Sequence, residues 1–293
     1  MPERNGYIAG VPSWVDTTQP DPEAAASFYG GLFGWEVENQ LPADAPGVYL
    51  MARLRGLDVA GIGSTAPGAP PMATWNTYIQ VNSADETAVK VRNAGGRVIT
   101  EPFDVTDAGR MAVFAETEGA AFCVWQPNRH PGAQIVNEHG AVNFNTLQTR
   151  DPEPAKTFYG AVFGWQTMDL GGGGAWTLPG YGDHLEADDP GLRARVVELG
   201  GPTGFEDVVA SISVIGPEQA NTPAHWSVTF GVDDADAIAD RAIGLGGKLL
   251  MGPSDAPWVR MAVIADPAGA TFIASQFVHE NRDLAAPTGA GAA

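Results

Sequence analysis

The chain of 293 residues is poor in lysine, cysteine and positive charge: three lysines, one cysteine, and 16 Lys+Arg in all against 35 Asp+Glu, a formal charge of −19. Each scarcity excludes something. Non-specific grip on nucleic acid needs Lys and Arg to displace the counterions condensed on phosphate, and no basic run here is longer than a pair, so no nucleic-acid partner is expected. The same field disfavours anionic membranes and polyphosphates. The single cysteine, Cys123, excludes an internal disulfide framework and fits a reducing compartment. No stretch of about 18 apolar residues occurs, and Met1 to Val11 lacks an apolar signal core. The expectation is a cytoplasmic protein with no membrane partner. With 44% hydrophobic and 17% charged residues the chain can fill packed cores, about two domains at roughly 150 residues each.

What the sequence does have is a repeat. Asp21 to Trp35, DPEAAASFYGGLFGW, returns as Asp151 to Trp165, DPEPAKTFYGAVFGW, at an offset of 130; Arg110 to Phe122 returns as Arg260 to Phe272 at an offset of 150. The second copy therefore holds about 20 extra residues between its blocks. They fall around Gly182 to Thr203, a Gly- and Asp-rich stretch with one short helical pattern, Leu192 to Leu199, which reads as a surface insertion or a lid. Gly171 to Gly174 lacks the Lys and Ser/Thr of a phosphate loop and reads as a turn.

Each half reads as βαβββ twice over. An alternating run, Val11 to Thr17, precedes a helix with Asp21 as N-cap and Pro22 at its first position. A second run, Trp75 to Val81, precedes a helix from about Ala84 to Ala94, closed by Gly95-Gly96. Short β runs bounded by Gly and Pro follow each helix. The boundaries expected are a first domain at 1–127, a linker at 128–140, a second domain at 141–278 with its insertion at about 182–203, and a tail at 279–293 that is disordered from Pro287.

Paired βαβββ units, a helix ending Phe-Tyr, then Gly-x-Leu/Val-Phe-Gly-Trp, and a last strand after Gly-Ala-x-Phe resemble the glyoxalase, bleomycin-resistance and extradiol-dioxygenase superfamily, the vicinal oxygen chelate proteins. The two-domain, actinobacterial glyoxalase-like subgroup is the nearest match. The resemblance implies an α+β fold: two tandem domains, each of paired βαβββ modules forming a curved mixed sheet around a cavity. It does not imply one activity, because the superfamily includes metal-dependent lyases, isomerases and dioxygenases alongside metal-free drug-binding proteins.

In the metal-dependent members the resemblance implies His, Glu or Gln ligands on the first, fourth, fifth and eighth strands. Here those positions hold Trp14 and Phe144 on the first strands, Asn76 and Ser227 on the fifth, and Cys123 and Ile273 on the eighth. The fourth strands bring only Asp58 and Glu206-Asp207 near their ends. His225 lies one residue from a ligand position. Three convergent donors, which a divalent metal needs, are assembled in neither half, so no metal and no cofactor are expected.

Strand alternation turns Trp14, Asp16, Asn76, Tyr78, Gln80, Cys123 and Trp125 toward the first cavity, and Phe144, Thr146, Ser227, Thr229, Ile273 and Ser275 toward the second. Trp258 lies at the second cavity's mouth. Such a lining suits a flat apolar ligand, held by stacking and oriented by a few hydrogen bonds, with Asp16 as counter-charge if the ligand is cationic. Trp35 and Trp165, and the repeated Arg110 and Arg260, fit structural roles better: core filling and pairing with nearby carboxylates.

The expected function is metal-free binding of an aromatic natural product, a cationic, anthracycline-like compound being one that fits. The protein would sequester or present it in antibiotic biosynthesis or self-resistance, with a pathway oxidase as a candidate partner. The alternative is a metal-independent lyase, cyclase or hydroxylase using Asp16 as general base. The residues lean away from catalysis without settling it. One chain already supplies the paired arrangement, so a monomer is expected.

Overall fold

A computed structural model describes residues 3–42, 44–66, 68, 71–170, 174–219 and 221–284. The expected disordered tail from Pro287, and three of the four glycines at 171–174, lie outside them.

The first half runs β1 (Pro12–Gln19), α1 (Pro22–Phe33), β2 (Glu36–Asn39), β3 (Tyr49–Leu54) and β4 (Leu57–Ser64). It continues as β5 (Thr74–Gln80), α2 (Ala84–Asn93), β6 (Arg97–Val105), β7 (Gly109–Ala115) and β8 (Ala121–Pro127). The second half repeats the order with β9 (Val142–Thr149), α3 (Pro152–Phe163), β10 (Gln166–Asp169) and β11 (Gly174–Thr177). Two further helices, α4 (Tyr181–Asp188) and α5 (Leu192–Glu198), precede β12 (Val208–Val214). The half ends with β13 (His225–Gly231), α6 (Ala235–Gly244), β14 (Lys248–Ala256), β15 (Val259–Ala265) and β16 (Thr271–Phe277). The strands form two eight-stranded mixed sheets of identical plan, ordered β2-β3-β4-β1-β5-β8-β7-β6 and β10-β11-β12-β9-β13-β16-β15-β14. Among the described residues no helix is long and apolar enough to cross a membrane.

The helix ends follow the sequence signals. Asp21 accepts from the Ala24 N–H at 3.0 Å, Pro22 starts α1, and Gly34 ends it in the left-handed region at φ 76°. Asp151, Pro152 and Gly164 do the same for α3. The two halves differ most between their third and fourth strands. Arg55 and Gly56, both at positive φ, close β3 onto β4 in a tight hairpin, whereas residues 178–207 separate β11 from β12. α4 and α5, in that stretch, have no side-chain N-cap. Side chains hold them instead: Arg193 pairs with Asp183 at 2.6 Å and Glu206 at 3.2 Å, and Glu186 accepts the N–H groups of Gly191 at 2.7 Å and Arg193 at 2.9 Å.

The chain divides into two compact units that interleave the sequence halves. Unit one is Met1–Ser13, Thr77–Gly132 and Asn145–Trp226; unit two is Trp14–Asn76, Ala133–Phe144 and Ser227–Ala293. Each takes one βαβββ module from each half. In unit two, Tyr29 sits 5.4 Å from Trp35, 5.3 Å from Trp75 and 5.8 Å from Phe272, centroid to centroid. The Trp75 indole donates to the Tyr29 hydroxyl at 3.0 Å, which donates in turn to Asp266 at 2.9 Å. Burial, then the Asp266 charge, pushes the Tyr29 phenol well above its ordinary value, so the neutral donor persists. Asp266 also takes the Gln19 amide at 2.7 Å and three backbone N–H groups, which leaves this buried carboxylate well solvated by the protein.

Unit one repeats the device. Tyr159 lies 5.3 Å from Trp165 and Trp176, and the Trp226 indole donates to its hydroxyl at 2.9 Å. The indoles of Trp35 and Trp165 reach the carbonyls of Gly140 at 2.8 Å and Gly10 at 2.7 Å. Both are structural side chains, as their place at the end of the helix motif implies. Within unit two, Gln134 exchanges hydrogen bonds with the Asp58 backbone at 2.7 and 3.0 Å.

Candidate functional site

Three of the first-half residues singled out from the sequence, Trp14, Asp16 and Asn76, lie together in unit two, joined by a residue that was not among them. The Trp14 indole N–H donates to the Tyr49 hydroxyl at 3.1 Å, and Tyr49 donates to Asp16 Oδ2 at 3.2 Å. The Asn76 amide donates to Asp16 Oδ1 at 2.9 Å and to the Thr18 hydroxyl at 3.2 Å. The result is a chain of indole, phenol, carboxylate and amide, with Trp14 and Asp16 buried.

Gly61 makes room for it. Gly61 faces Asp16 across the parallel β1–β4 ladder, and a Cβ there would lie 2.2 Å from the Tyr49 hydroxyl and 2.9 Å from the Asp16 Cβ. The signal that could have found Tyr49 is this glycine: a strand glycine often marks close approach by another group. Alternation alone left β3 without a role.

The other first-half residues, Tyr78, Gln80, Cys123 and Trp125, lie in unit one as cross-strand neighbours, Tyr78 opposite Cys123 and Gln80 opposite Trp125. All four are buried. The Gln80 amide donates to the Tyr7 carbonyl, and the Trp125 indole to the His130 carbonyl at 2.9 Å. Those two polar groups therefore serve the fold. Cys123 is buried and forms no disulfide.

The second-half counterparts are more open. Phe144, Ser227 and Ile273 in unit two are half-buried, and Thr229, opposite Ile273, is buried. In unit one Thr146 faces Ser211 in register, their hydroxyls 2.6 Å apart. Ser211 thus occupies the place of Gly61. Trp258, at φ 70°, stacks on Phe277 with rings 6.2 Å apart and 17° between planes, and meets His279 edge-on. Arg110 is clamped by both Asp85 oxygens, at 2.9 and 3.0 Å, and by Asp104 at 2.9 Å. Arg260 is clamped likewise by Asp236 at 2.5 and 2.9 Å and Asp255 at 3.1 Å. Both arginines are engaged in structural pairing.

The donor set does not fit a catalytic divalent metal. Among the described residues no group of three or more His, Cys, Asp or Glu converges to hold one. The nearest acidic candidates are occupied: Asp58 by Arg53 at 2.8 Å, Glu206 by Arg193, and Asp207 by the Gly182 N–H at 2.7 Å. His225 Nδ1 lies 2.8 Å from the Pro223 carbonyl.

Comparison with known proteins agrees with this architecture. Residues 13–124 match the Glyoxalase/Bleomycin resistance protein/Dioxygenase superfamily, and residues 144–274 match the Glyoxalase-like domain. A Mycobacterium tuberculosis protein named "Putative glyoxylase CFP32" is 40% identical over 93% of this chain and 97% of its own. The "Anthracycline biosynthesis protein DauV" of Streptomyces sp. is 36% identical over 91% and 93%. Among solved structures, the Mn(II)-bound glyoxalase from Novosphingobium aromaticivorans covers 92% of this chain and 82% of its own at a TM-score of 0.58. With 16% identity, that last likeness speaks to the fold alone.

Proposed function

This chain belongs to the glyoxalase/bleomycin resistance protein/dioxygenase superfamily, and from that premise we propose that it is a metal-independent binding protein for an aromatic natural product, which it sequesters or presents to a pathway enzyme. The observation that carries the reading is the hydrogen-bonded chain of Trp14, Tyr49, Asp16 and Asn76, of which Trp14 and Asn76 stand where the superfamily resemblance implies metal ligands. An indole and a phenol in that place hold each other and a carboxylate, and supply no convergent donors to an ion. The first-half face is thereby filled by the protein's own side chains.

The second half offers the more open receptor: the Phe144 ring for stacking, and the Ser227 and Thr229 hydroxyls to orient ring oxygens. A relative named for anthracycline biosynthesis, matched over 91% of this chain, supports a polycyclic aromatic as the ligand class. The protein acts in the cytoplasm, as a monomer.

The test titrates a panel of anthracyclines against tryptophan fluorescence and follows the compound for turnover. Saturable binding, with the compound recovered unchanged, is expected. Phe144→Leu should weaken it about 3- to 10-fold, the value of one aromatic stacking contact. Steady conversion by the protein alone would replace sequestration by catalysis, with Asp16 the general base to examine. A stoichiometric divalent metal in the purified protein would overturn the metal-independent reading.

A further inference from the structure

The segment present only in the second half builds a cavity of its own. Helices α4 and α5, together with residues 3–7 of the N-terminal segment, line an open cleft of about 500 Å³ within unit one, in the range of small-molecule sites. Its walls divide by chemistry. Leu185, Leu192 and Tyr7 supply apolar surface, while Glu3, Asp188 and Asp189 supply carboxylates against the single guanidinium of Arg4.

The charges are not equally available. Arg195 neutralises Asp189. Burial raises the Tyr7 and Tyr181 phenols above their ordinary value; the Arg4 guanidinium, which hydrogen-bonds the Tyr181 phenol, favours their ionisation but does not offset burial. The Arg4 Nε is buried without a hydrogen-bond partner. Asp188 is exposed beside His184, 3.5 Å from the imidazole Nε2, and Glu3 is exposed with no ion pair among the described residues. The cavity therefore combines the apolar and aromatic surface of Leu185, Leu192 and Tyr7 with the Arg4 guanidinium, and sets against it two exposed carboxylates, Glu3 and Asp188.

We propose that this cavity is a binding site for an organic ammonium compound with an apolar or aromatic body, the body lying against Leu185, Leu192 and Tyr7 and the ammonium between Glu3 and Asp188. The chain's net charge of −19 adds a long-range attraction in the same direction. Gln80 ties the site to the sheet: its amide holds the Tyr7 carbonyl and so fixes the wall that Tyr7 forms. The site is independent of the ligand proposed above, involving neither Phe144 nor Trp14.

The test uses 2-phenylethylamine and its neutral counterpart 2-phenylethanol at pH 7, with amide NMR shifts as readout. At low salt the amine should bind about tenfold tighter than the alcohol, with shifts confined to residues 3–7 and 184–192. The preference should shrink in high salt, as screening requires for exposed charges. Glu3→Gln with Asp188→Asn should bring the two probes to equal affinity, and Leu192→Trp should abolish binding of both by filling the cavity while Trp14 and Phe144 shifts stay put. Equal affinities in the unsubstituted protein, shifts mapping elsewhere, or no shifts with the amine would each overturn the proposal.

Discussion

The two sequence halves keep one frame and differ in what they place upon it. The frame is repeated almost atom for atom: Trp35 and Trp165 each reach a glycine carbonyl, Trp75 and Trp226 each donate to a helix tyrosine, and Arg110 and Arg260 each clamp two aspartates. The inward positions do not repeat. Trp14, Asp16 and Asn76 become Phe144, Thr146 and Ser227; Gly61 becomes Ser211; and the hairpin at Arg55-Gly56 becomes a two-helix excursion. A group that closes a hydrogen bond within the frame cannot change alone without leaving an unpaired donor or acceptor, so duplication preserves it. Trp14, Asp16, Asn76 and Gly61 form one hydrogen-bonded and sterically matched set, and all four differ together in the second half, so no member of the set is left facing its old partner.

The largest effects should therefore come from the frame, and equally in both halves. Trp35→Ala and Trp165→Ala each remove a buried ring and leave a glycine carbonyl without its indole donor. Each should cost about 3–5 kcal/mol in urea unfolding, with loss of near-UV circular dichroism. A large loss for one and a small loss for the other would break the equivalence of the halves.

At the inward positions the expected responses diverge. Gly61→Ala drives a methyl group into the Tyr49 hydroxyl and the Asp16 Cβ. It should cost about 1–3 kcal/mol as overpacking and shift the tryptophan emission as Trp14 loses its phenol partner. Ser211→Ala, at the matching place, removes only a hydroxyl pair with Thr146 and should cost about 1 kcal/mol or less. Equal costs would mean that the two faces are built alike after all.

This division explains what the sequence made legible. The repeat, the helix caps and the strand runs are local patterns, and β4 at Leu57–Ser64 and α1 after Asp21 stand where those patterns put them. Tyr49 was missed because its role depends on a glycine across the sheet, which no period along β3 reveals. The interleaving of modules into two compact units was equally hidden: that Asp266 takes the hydrogen bonds of Gln19 and Tyr29, more than 230 residues away, is set by tertiary packing and leaves no mark on local sequence. Gln80 and Trp125 have the alternation expected of face residues, yet their N–H donors are committed to the carbonyls of Tyr7 and His130.

The smallest effect expected is also the one that separates structural from ligand-binding arginine. The Arg110 guanidinium beside Asp85, and the Arg260 guanidinium beside Asp236 and Asp255, hold those carboxyls below their ordinary value of 3.8. A carboxyl whose folded value is depressed stabilises the fold at pH above its unfolded value, and that contribution disappears as the pH falls through the folded value. Arg110→Gln and Arg260→Gln should therefore lower the urea midpoint modestly at pH 7, less in high salt because these pairs face solvent, and converge on the parent protein as the pH falls through the depressed carboxyl values. Arg260 should matter slightly more, since Asn281 also donates to Asp255 at 3.1 Å and the clamp there closes the turn that carries Trp258. If either arginine bound a substrate anion instead, its replacement would change ligand affinity and leave the unfolding midpoint and its pH dependence where they were.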